Sequence, residues 1–285
     1  MIRIGNQTAF SALTPLEPFE YAVQNKFTAF EWFPDKKPTG EGWVKEDVDG
    51  HTRAAIKETA MSKDIAVSLH APWWANPIMD DGLDALLKHF RFARDVGATI
   101  INCHLDLEKG LETFVQSIRP VIEAASNARV RLSIENTPLT TPDDFNSLFD
   151  RLSQFDDIQP DQVGMCLDLG HANLCDVTRN DYIRFIDRLS PNVPIIHVHL
   201  HENYGDQDSH LTIFTGPSAH NDAGVREFVK RLKKRDYSGS IILEQWPQPP
   251  SLLTQARDRL VHIIGKNDRK HGSSDGKPEK KGSSD

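Results

Sequence analysis

The sequence predicts a single-domain α/β protein, a (β/α)8 TIM barrel. Segments rich in Val, Ile and Leu alternate with helix-like segments through the body of the chain, which is typical of parallel strands joined by helices. Acidic or imidazole side chains recur at the ends of these apolar segments, at intervals of 31 to 45 residues. They are Glu31, His70, His104, Glu135, Asp168, His199 and Glu244. Because a barrel gathers the carboxyl ends of its strands at one mouth, we expect these side chains to meet there.

Eight strands are predicted from short aliphatic runs. They cover residues 2–8, 29–33, 66–71, 99–105, 131–137, 164–171, 195–202 and 240–246. Between them, apolar residues recur at three- and four-residue spacing, as in residues 83–93 and 225–232, which predicts helices. Thr141 before Pro142 and Ser251 after a proline-rich break are expected helix starts, and Gly97 is an expected helix end.

Length, charge and composition bound the class of protein. The barrel is predicted to span residues 1–265, close to the roughly 250 residues typical of the fold. Residues 266–285 repeat GSSD without an apolar anchor and are predicted to be a disordered polar tail. The net charge of −8 has the wrong sign for neutralising a phosphate backbone, so nucleic acid is not a favoured partner.

Segments for export or membrane insertion are not expected. The start, MIRIGNQTAF, lacks the features of a secretory signal, and no run approaches the roughly 18 apolar residues of a membrane helix. The chain is therefore predicted to be soluble and cytoplasmic, with no membrane partner. Its cysteines are Cys103, Cys166 and Cys175, an odd number that favours reduced thiols over a disulfide framework.

Two local motifs extend the series of strand-end residues. Asp168 and His171 form D-x-x-H, and Asp208 and His210 form D-x-H in the loop after the seventh strand. A lone residue of this kind is more often a satisfied polar group than a ligand, so the prediction depends on their concurrence. Imidazoles mixed with carboxylates favour Zn²⁺, Mn²⁺, Fe²⁺ or Co²⁺ over Mg²⁺ or Ca²⁺ alone. The sequence thus predicts a divalent metal site.

The seventh strand carries three histidines on one face, because residues two apart point the same way. His199 matches the level of the other strand-end residues, His197 lies one step deeper, and His201 is expected near the rim. Counting back two residues from each proposed ligand gives a small or polar inner layer that suits hydrogen bonding to ligands. This layer is Ser68, Asn102, Ser133, Cys166 and His197.

The tryptophans all lie at strand ends or in the loops that follow. For Trp43, packing of a loop onto a helix is the preferred interpretation. Trp32, Trp73 and Trp246 are predicted to wall a substrate pocket, since a rigid apolar face beside polar anchors is typical of small-ligand sites, and sugars present C–H faces that fit such walls. The sequence has no glycine-rich phosphate loop, dinucleotide fingerprint or nucleophile elbow, which excludes nucleotide-dependent and serine-hydrolase functions.

An ordered set of motifs runs through the chain: SLHAP, NCHLD, SIENTP, CLDLGHANL, HVHLHEN followed by DSHL, and ILEQW. Together they resemble the xylose isomerase-like TIM-barrel superfamily, which includes sugar and sugar-phosphate isomerases and epimerases, inosose dehydratase and endonuclease IV. The resemblance covers about residues 2–262. The stretch LTIFTGPSAHNDAG departs from the glycine-pair loop common in the superfamily.

The resemblance implies two site assignments. The epimerase branch implies a metal held by Glu135, Asp168, His199 and Glu244, with both glutamates as catalytic acid and base. Endonuclease IV holds three zinc ions with a larger set, and every matching position is present here: His70, His104, Glu135, Asp168, His171, His199, Asp208, His210 and Glu244. One to three metal ions per chain are therefore expected, and His171 is also expected to contact substrate.

Several functions stay open at this point. The favoured one is a divalent-metal-dependent isomerase or epimerase acting on a sugar, sugar phosphate or related polyol ketone through an enediolate, with a small carbohydrate as partner. The alternative is an endonuclease IV-like multinuclear zinc phosphodiesterase, which the acidic charge disfavours, or a metal-dependent cyclitol dehydratase. The third is a non-enzymatic barrel that binds or scaffolds. Assembly into a homo-oligomer is left open.

Overall fold

The computed structural model describes residues 1–8, 10–159 and 161–271, with side chains described to residue 265. Eight parallel strands pair in chain order and close into one barrel. The strands are β1 (Arg3–Gln7), β2 (Ala29–Trp32), β3 (Ala66–His70), β4 (Ile100–His104), β5 (Arg131–Glu135), β6 (Val163–Asp168), β7 (Ile195–Leu200) and β8 (Ser240–Leu243). The predicted fold class is confirmed.

Helices cover the outside of the barrel and follow the strands. They are α1 (Glu17–Gln24), α2 (Gly50–Ser62), α3 (Asp80–Val96), α4 (Leu111–Ala128), α5 (Pro142–Leu152), α6 (Leu169–Leu174), α7 (Tyr182–Arg188), α8 (Ala223–Lys234) and α9 (Ser251–His271). Short 3₁₀ turns lie at Lys45–Asp47 and Pro217–Ala219. None of these described helices is both long and apolar enough to cross a membrane.

The local signals for helix ends act as predicted. Thr141 caps α5 with a reciprocal capping box to Asp144, and Pro142 takes the first helical position. Gly97 ends α3 with φ of 79°, a left-handed conformation that favours glycine. The sixth predicted strand was too long, because Asp168 stops β6 by capping α6: its Oδ1 accepts the His171 amide at 2.6 Å.

The alternation of side chains along each strand separates the inside of the barrel from the layer between strands and helices. In β2, Glu31 points into the barrel, whereas Phe30 and Trp32 point outwards. The outward rings pack edge-on against each other and against aromatic side chains from the helices and loops. Full burial of such side chains stabilises the fold by about 1.5–3 kcal/mol each. Apolar packing therefore lies between strands and helices, and polar side chains collect inside the barrel.

The last helix reaches beyond residue 265. Helix α9 ends at His271, and the domain boundary at residue 265 stays a prediction. The rest of the predicted polar tail, residues 272–285, lies outside the described residues. All three cysteines are buried free thiols.

His89 on α3 gives the barrel an acid-sensitive position. The ring is buried and donates from Nδ1 to the Ala85 carbonyl at 2.7 Å. Burial lowers the pKa of His89 to about 4, below the ordinary value of 6.5. As pH falls, the unfolded chain therefore takes up a proton at this position before the folded chain does, and stability falls between pH 6.5 and pH 4.

We expect His89→Gln, which keeps a donor but does not titrate, to flatten the acid limb of the stability profile. The free energy of unfolding of the wild type should fall by about 2 kcal/mol more than that of the variant between pH 7.5 and pH 5. Urea unfolding at both pH values measures this difference. Parallel pH profiles for the two proteins contradict the assignment.

Candidate metal centre

The mouth of the barrel brings the strand-end residues of the predicted series together. His70, His104, Glu135 and Asp168 end their strands, His199 lies near the end of β7, and Glu244 directly follows β8. Strand register places His104 beside Glu135 and Asp168 beside His199. Their side chains are nearly or fully buried, apart from His104, whose side chain is 25% exposed.

One group of ligand atoms surrounds Nδ1 of His199. This nitrogen lies 3.3 Å from Glu135 Oε2, 3.5 Å from Glu244 Oε1 and 3.8 Å from Asp168 Oδ2. The same Glu135 Oε2 also lies 3.1 Å from His70 Nε2. Three carboxylates and two imidazoles thus share a space of a few ångströms.

A second group lies closer to the loops. Asp208 Oδ2 is 3.3 Å from His171 Nε2 and 3.1 Å from His210 Nε2. His201 joins them: its Nε2 lies 3.2 Å from Asp168 Oδ1 and 3.7 Å from Asp208 Oδ1, and its ring stacks on His210 with centroids 4.0 Å apart. His201 and Asp168 connect this group to the first.

Backbone carbonyls orient the imidazoles of both groups. Nδ1 of His70 lies 2.5 Å from the Ala71 carbonyl, that of His171 2.8 Å from the Asn136 carbonyl, and that of His210 3.1 Å from the Glu244 carbonyl. Donation from Nδ1 leaves the lone pair on Nε2, which in each ring faces a carboxylate of the site. This is the tautomer that a metal ligand requires.

The predicted polar layer lies beneath these groups. Ser133 donates to Asn102 Oδ1 at 2.8 Å, and Asn102 Nδ2 donates to Glu135. Glu31 bridges two histidines of β7: its Oε2 is 2.8 Å from His197 Nε2, and its Oε1 is 2.8 Å from His199 Nε2. Because the Glu31 carboxylate lies against Nε2 of His199, Nδ1 is the nitrogen directed at the first group.

Several buried ligand-type atoms in this centre lack a hydrogen-bond partner among the described residues. They are Glu135 Oε1, Asp168 Oδ2, His199 Nδ1, His201 Nε2 and Glu244 Oε2. Unpaired buried polar atoms are costly, and buried carboxylates are more so. A mixed set of carboxylate oxygens and imidazole nitrogens is the donor set of Zn²⁺, Mn²⁺, Fe²⁺ and Co²⁺ sites. The residues present therefore fit a divalent cation.

Electrostatics distinguish the two glutamates. Burial raises the pKa of a carboxyl, but His199 and His104 outweigh it and hold the pKa of Glu135 well below its usual value. Burial, aided by Asp168 and Glu135, raises the pKa of Glu244 to about 7. Neighbouring carboxyls with opposite shifts are typical of sites for acid–base chemistry, and a bound cation would lower both values.

A cavity of about 530 Å³ opens above the centre. It is large enough for a small organic ligand. One side consists of ionisable residues of the two groups; the other is mostly uncharged. That second side includes Gln7, Phe10, Ser11, Phe33, Lys37, Trp73, Thr212, Gln245, Trp246 and Pro247.

The tryptophan prediction needs correction at one position. Trp73 and Trp246 line the cavity, and Trp73 is 66% exposed. Trp32 does not: its indole is 0% exposed and packs against Phe19, Phe30 and Trp43 on the helix side of β2. The two-residue period explains the difference, because Glu31 faces inwards and its neighbour must face outwards.

Three residues of the site were not assigned from the sequence: His201, which was expected only near the rim and joins the centre, and Gln7 and Gln245, which line the cavity. His201 reaches the centre because Gly170 leaves room for it: a Cβ at Gly170 would lie 1.9 Å from His201 Cε1. The glycine within CLDLGHANL was the available signal. Gln7 was also detectable, since it shares the inward parity of β1, whereas Gln245 lies in a loop with no periodic signal.

The fold and the centre define a TIM-barrel protein with buried clusters of histidine and carboxylate at its mouth. The chain belongs to the family described as xylose isomerase-like TIM barrel, which matches residues 19–261.

Two relatives are uncharacterised proteins of Methanocaldococcus jannaschii. The chain is 28% identical to MJ1311 over 141 residues, which are 47% of this chain and 43% of that protein, so the match spans less than half the length of that relative. It is 27% identical to MJ1614 over 202 residues, 62% of this chain and 70% of that protein.

Solved structures share the architecture. A D-tagatose 3-epimerase-like protein superposes with a TM-score of 0.72 at 20% identity, covering 94% of this chain and 99% of the other. An L-ribulose 3-epimerase gives 0.71 at 18% identity, covering 98% and 100%. The IOLI protein with a bound zinc atom gives 0.69 at 12% identity, covering 93% and 98%. At these identities the likeness establishes the fold.

We expect Glu31→Gln to weaken divalent metal binding by about 10- to 100-fold, because the variant loses the carboxylate that holds Nε2 of His199. Titration of the metal-free protein with Co²⁺ gives the dissociation constant, and the Co²⁺ absorption spectrum reports the altered ligand field. Glu20→Gln, an exposed change on α1, is the matched control. Unchanged Co²⁺ affinity and spectrum in Glu31→Gln would show that Glu31 does not orient the ligand.

Proposed function

We propose that this chain is a divalent-metal-dependent isomerase or epimerase that acts on a sugar, sugar phosphate or related polyol ketone through an enediolate. The observation that carries the proposal is the approach of Glu135 and Glu244, from strands separated by β6 and β7, to the same nitrogen of His199. Two carboxyl groups around one small space can serve two faces of a substrate carbon.

Glu135, Asp168, His199 and Glu244 would hold the metal in this proposal. A bound divalent ion supplies Lewis acidity to a substrate carbonyl, so that the adjacent C–H becomes acidic. One glutamate removes that proton, and the same or the other glutamate returns it to the neighbouring carbon or to the opposite face. His70 and the Asn102 amide contact Glu135 and restrict its carboxylate to one orientation.

The comparisons support this proposal at the level of class. The neighbouring structures include D-tagatose 3-epimerase-like, D-psicose 3-epimerase and L-ribulose 3-epimerase proteins, and two others carry zinc or were soaked with zinc chloride. The proposal places the chain among metal-dependent enzymes of carbohydrate metabolism, acting in the cytoplasm. Dehydration of a cyclitol ketone needs the same metal and base.

Deuterium from solvent should enter the substrate carbon next to the carbonyl when the Mn²⁺- or Co²⁺-loaded protein is incubated with D-tagatose, D-psicose, L-ribulose or D-fructose. Glu135→Gln and Glu244→Gln should each reduce exchange by about 100-fold or more, because each removes one proton-transfer group. Proton NMR in D2O measures the exchange.

Metal content is measured in the same samples, because both glutamates are also proposed ligands. Glu108→Gln, an exposed change after β4, is the matched control and should exchange like the wild type. Turnover of a ketose by the wild type without any exchange contradicts an enediolate.

A second candidate, a multinuclear zinc phosphodiesterase, is favoured by one observation. His171, His201, Asp208 and His210 form a further group whose ligand atoms lie within 4.8 Å of one another. Additional ions held there could place a hydroxide for attack on phosphorus. The net charge of −8 opposes binding to a nucleic acid.

We expect no cleavage of abasic-site DNA at low salt by the zinc-loaded protein, because the chain carries excess negative charge. Native mass spectrometry during zinc titration counts the ions on the same sample. Three ions per chain together with strand cleavage would favour the phosphodiesterase over the isomerase.

A further inference from the structure

The uncharged side of the cavity contains buried polar groups that have no hydrogen-bond partner among the described residues. Gln7 and Gln245 are 4% and 6% exposed, and both line the cavity. Gln7 Oε1 and both polar atoms of the Gln245 amide have no hydrogen-bond partner among the described residues. Nε1 of Trp246, which lines the same side, is also unpartnered. Each unsatisfied group favours a ligand that restores its hydrogen bond.

The chemistry of these groups limits that ligand. An amide oxygen only accepts hydrogen bonds, and an amide nitrogen or indole nitrogen only donates them. A hydroxyl group does both, so a polyol can satisfy Gln7 and Gln245 together. A phosphate dianion offers acceptors alone and would leave the Gln7 and Gln245 oxygens facing other oxygens.

Cationic groups are scarce on this side. Among the described residues that line the cavity, Lys37 is the one Lys or Arg. Its Nζ lies 3.6 Å from Glu41 Oε2 and 4.6 Å from the centre of the Phe10 ring. The lysine is therefore already engaged by a carboxylate and an aromatic face.

TIM barrels often bind phosphate at the loops after strands 7 and 8. In this chain, the loop after β7 carries a carboxylate of its own at that place. The Glu202 carboxylate is buried in that loop. Its Oε2 accepts from the amides of Phe214 at 3.1 Å and Gly216 at 3.0 Å, and its Oε1 accepts from the Ser218 amide at 2.9 Å. The backbone donors of Gly216 and Ser218 are thus occupied by Glu202.

We infer that the cavity takes an unphosphorylated polyhydroxy ketone whose hydroxyl groups, away from the carbonyl end, hydrogen-bond to Gln7 and Gln245. This inference rests on the proposed isomerase or epimerase function and narrows its substrate class. Gln7 and Gln245 are specificity-determining residues in this scheme, separate from the residues that hold the metal.

The test compares D-fructose with D-fructose 6-phosphate, which differ by one phosphate, on the Mn²⁺-loaded protein. Tryptophan fluorescence titration, with Trp73 and Trp246 at the cavity, gives the dissociation constants, and solvent deuterium exchange gives kcat and KM. We expect D-fructose to bind at least tenfold more tightly than its phosphate, and inorganic phosphate not to compete.

Gln7→Met and Gln245→Met retain length but remove the amide. Each should raise the dissociation constant and KM for D-fructose about tenfold, which corresponds to about 1.4 kcal/mol. The kcat and the Mn²⁺ affinity should stay within twofold, because neither residue holds the metal. Gln154→Met, an exposed change, is the matched control. If one glutamine variant fails to fold, the inference is still tested by the other variant and by the comparison of D-fructose with D-fructose 6-phosphate on the wild type.

Tighter binding of D-fructose 6-phosphate, competition by inorganic phosphate, or unchanged binding in both glutamine variants overturns the inference. So does failure of the wild type to bind either sugar. Deuterium exchange with the phosphorylated sugar alone would overturn the inference and leave the proposed function standing. Binding of D-fructose that depends on Gln7 and Gln245, without exchange of any ketose, would instead support the cavity assignment and reject the proposed reaction.

Discussion

Concentration of carboxylates and imidazoles inside a closed barrel is the constraint on which the rest of this structure depends. Glu31, Glu135 and Asp168 are fully buried, and isolated buried carboxylates are strongly unfavourable. The histidines that surround them offset part of this penalty, and the Asn102 amide and the Glu31 carboxylate determine which atoms remain unpaired. Those unpaired atoms converge, which is why a cation is the simplest group to complete the interior.

Much of the fold and part of the candidate site could be predicted from the sequence alone. Strand and helix order, the barrel, the cap at Thr141 and the left-handed Gly97 followed from local signals and were confirmed. Convergence of the strand-end residues followed from the barrel fold, which gathers the carboxyl ends of its strands at one mouth. The prediction of Trp32 as a pocket wall was wrong because Glu31 and Trp32 are neighbours in one strand and must face opposite ways.

The sequence predicted less at positions just beyond the strand ends. The two-residue period of β7 placed His201 near the rim, but its entry into the centre requires the space above Gly170, which lies in the first turn of α6. Gln245 follows β8 by two residues in a loop, so neither its burial nor its missing partners have a periodic signature. Contacts between loops of distant sequence position are set by tertiary packing, and a single sequence does not encode them in a readable pattern.

Division of the cavity into an ionisable side and an uncharged side gives separate physical roles to separate residues. The ionisable side has its paired glutamates around His199, and in the proposed function this arrangement serves to move protons. The uncharged side, where Gln7 and Gln245 have unsatisfied polar atoms, is suited to selecting the molecule that arrives. The Glu202 carboxylate occupies three backbone donors of the loop after β7, so these donors are not free to bind a ligand phosphate. Under the inferred substrate class, selectivity depends both on the donors that the fold has already used and on the polar atoms that it leaves unpaired.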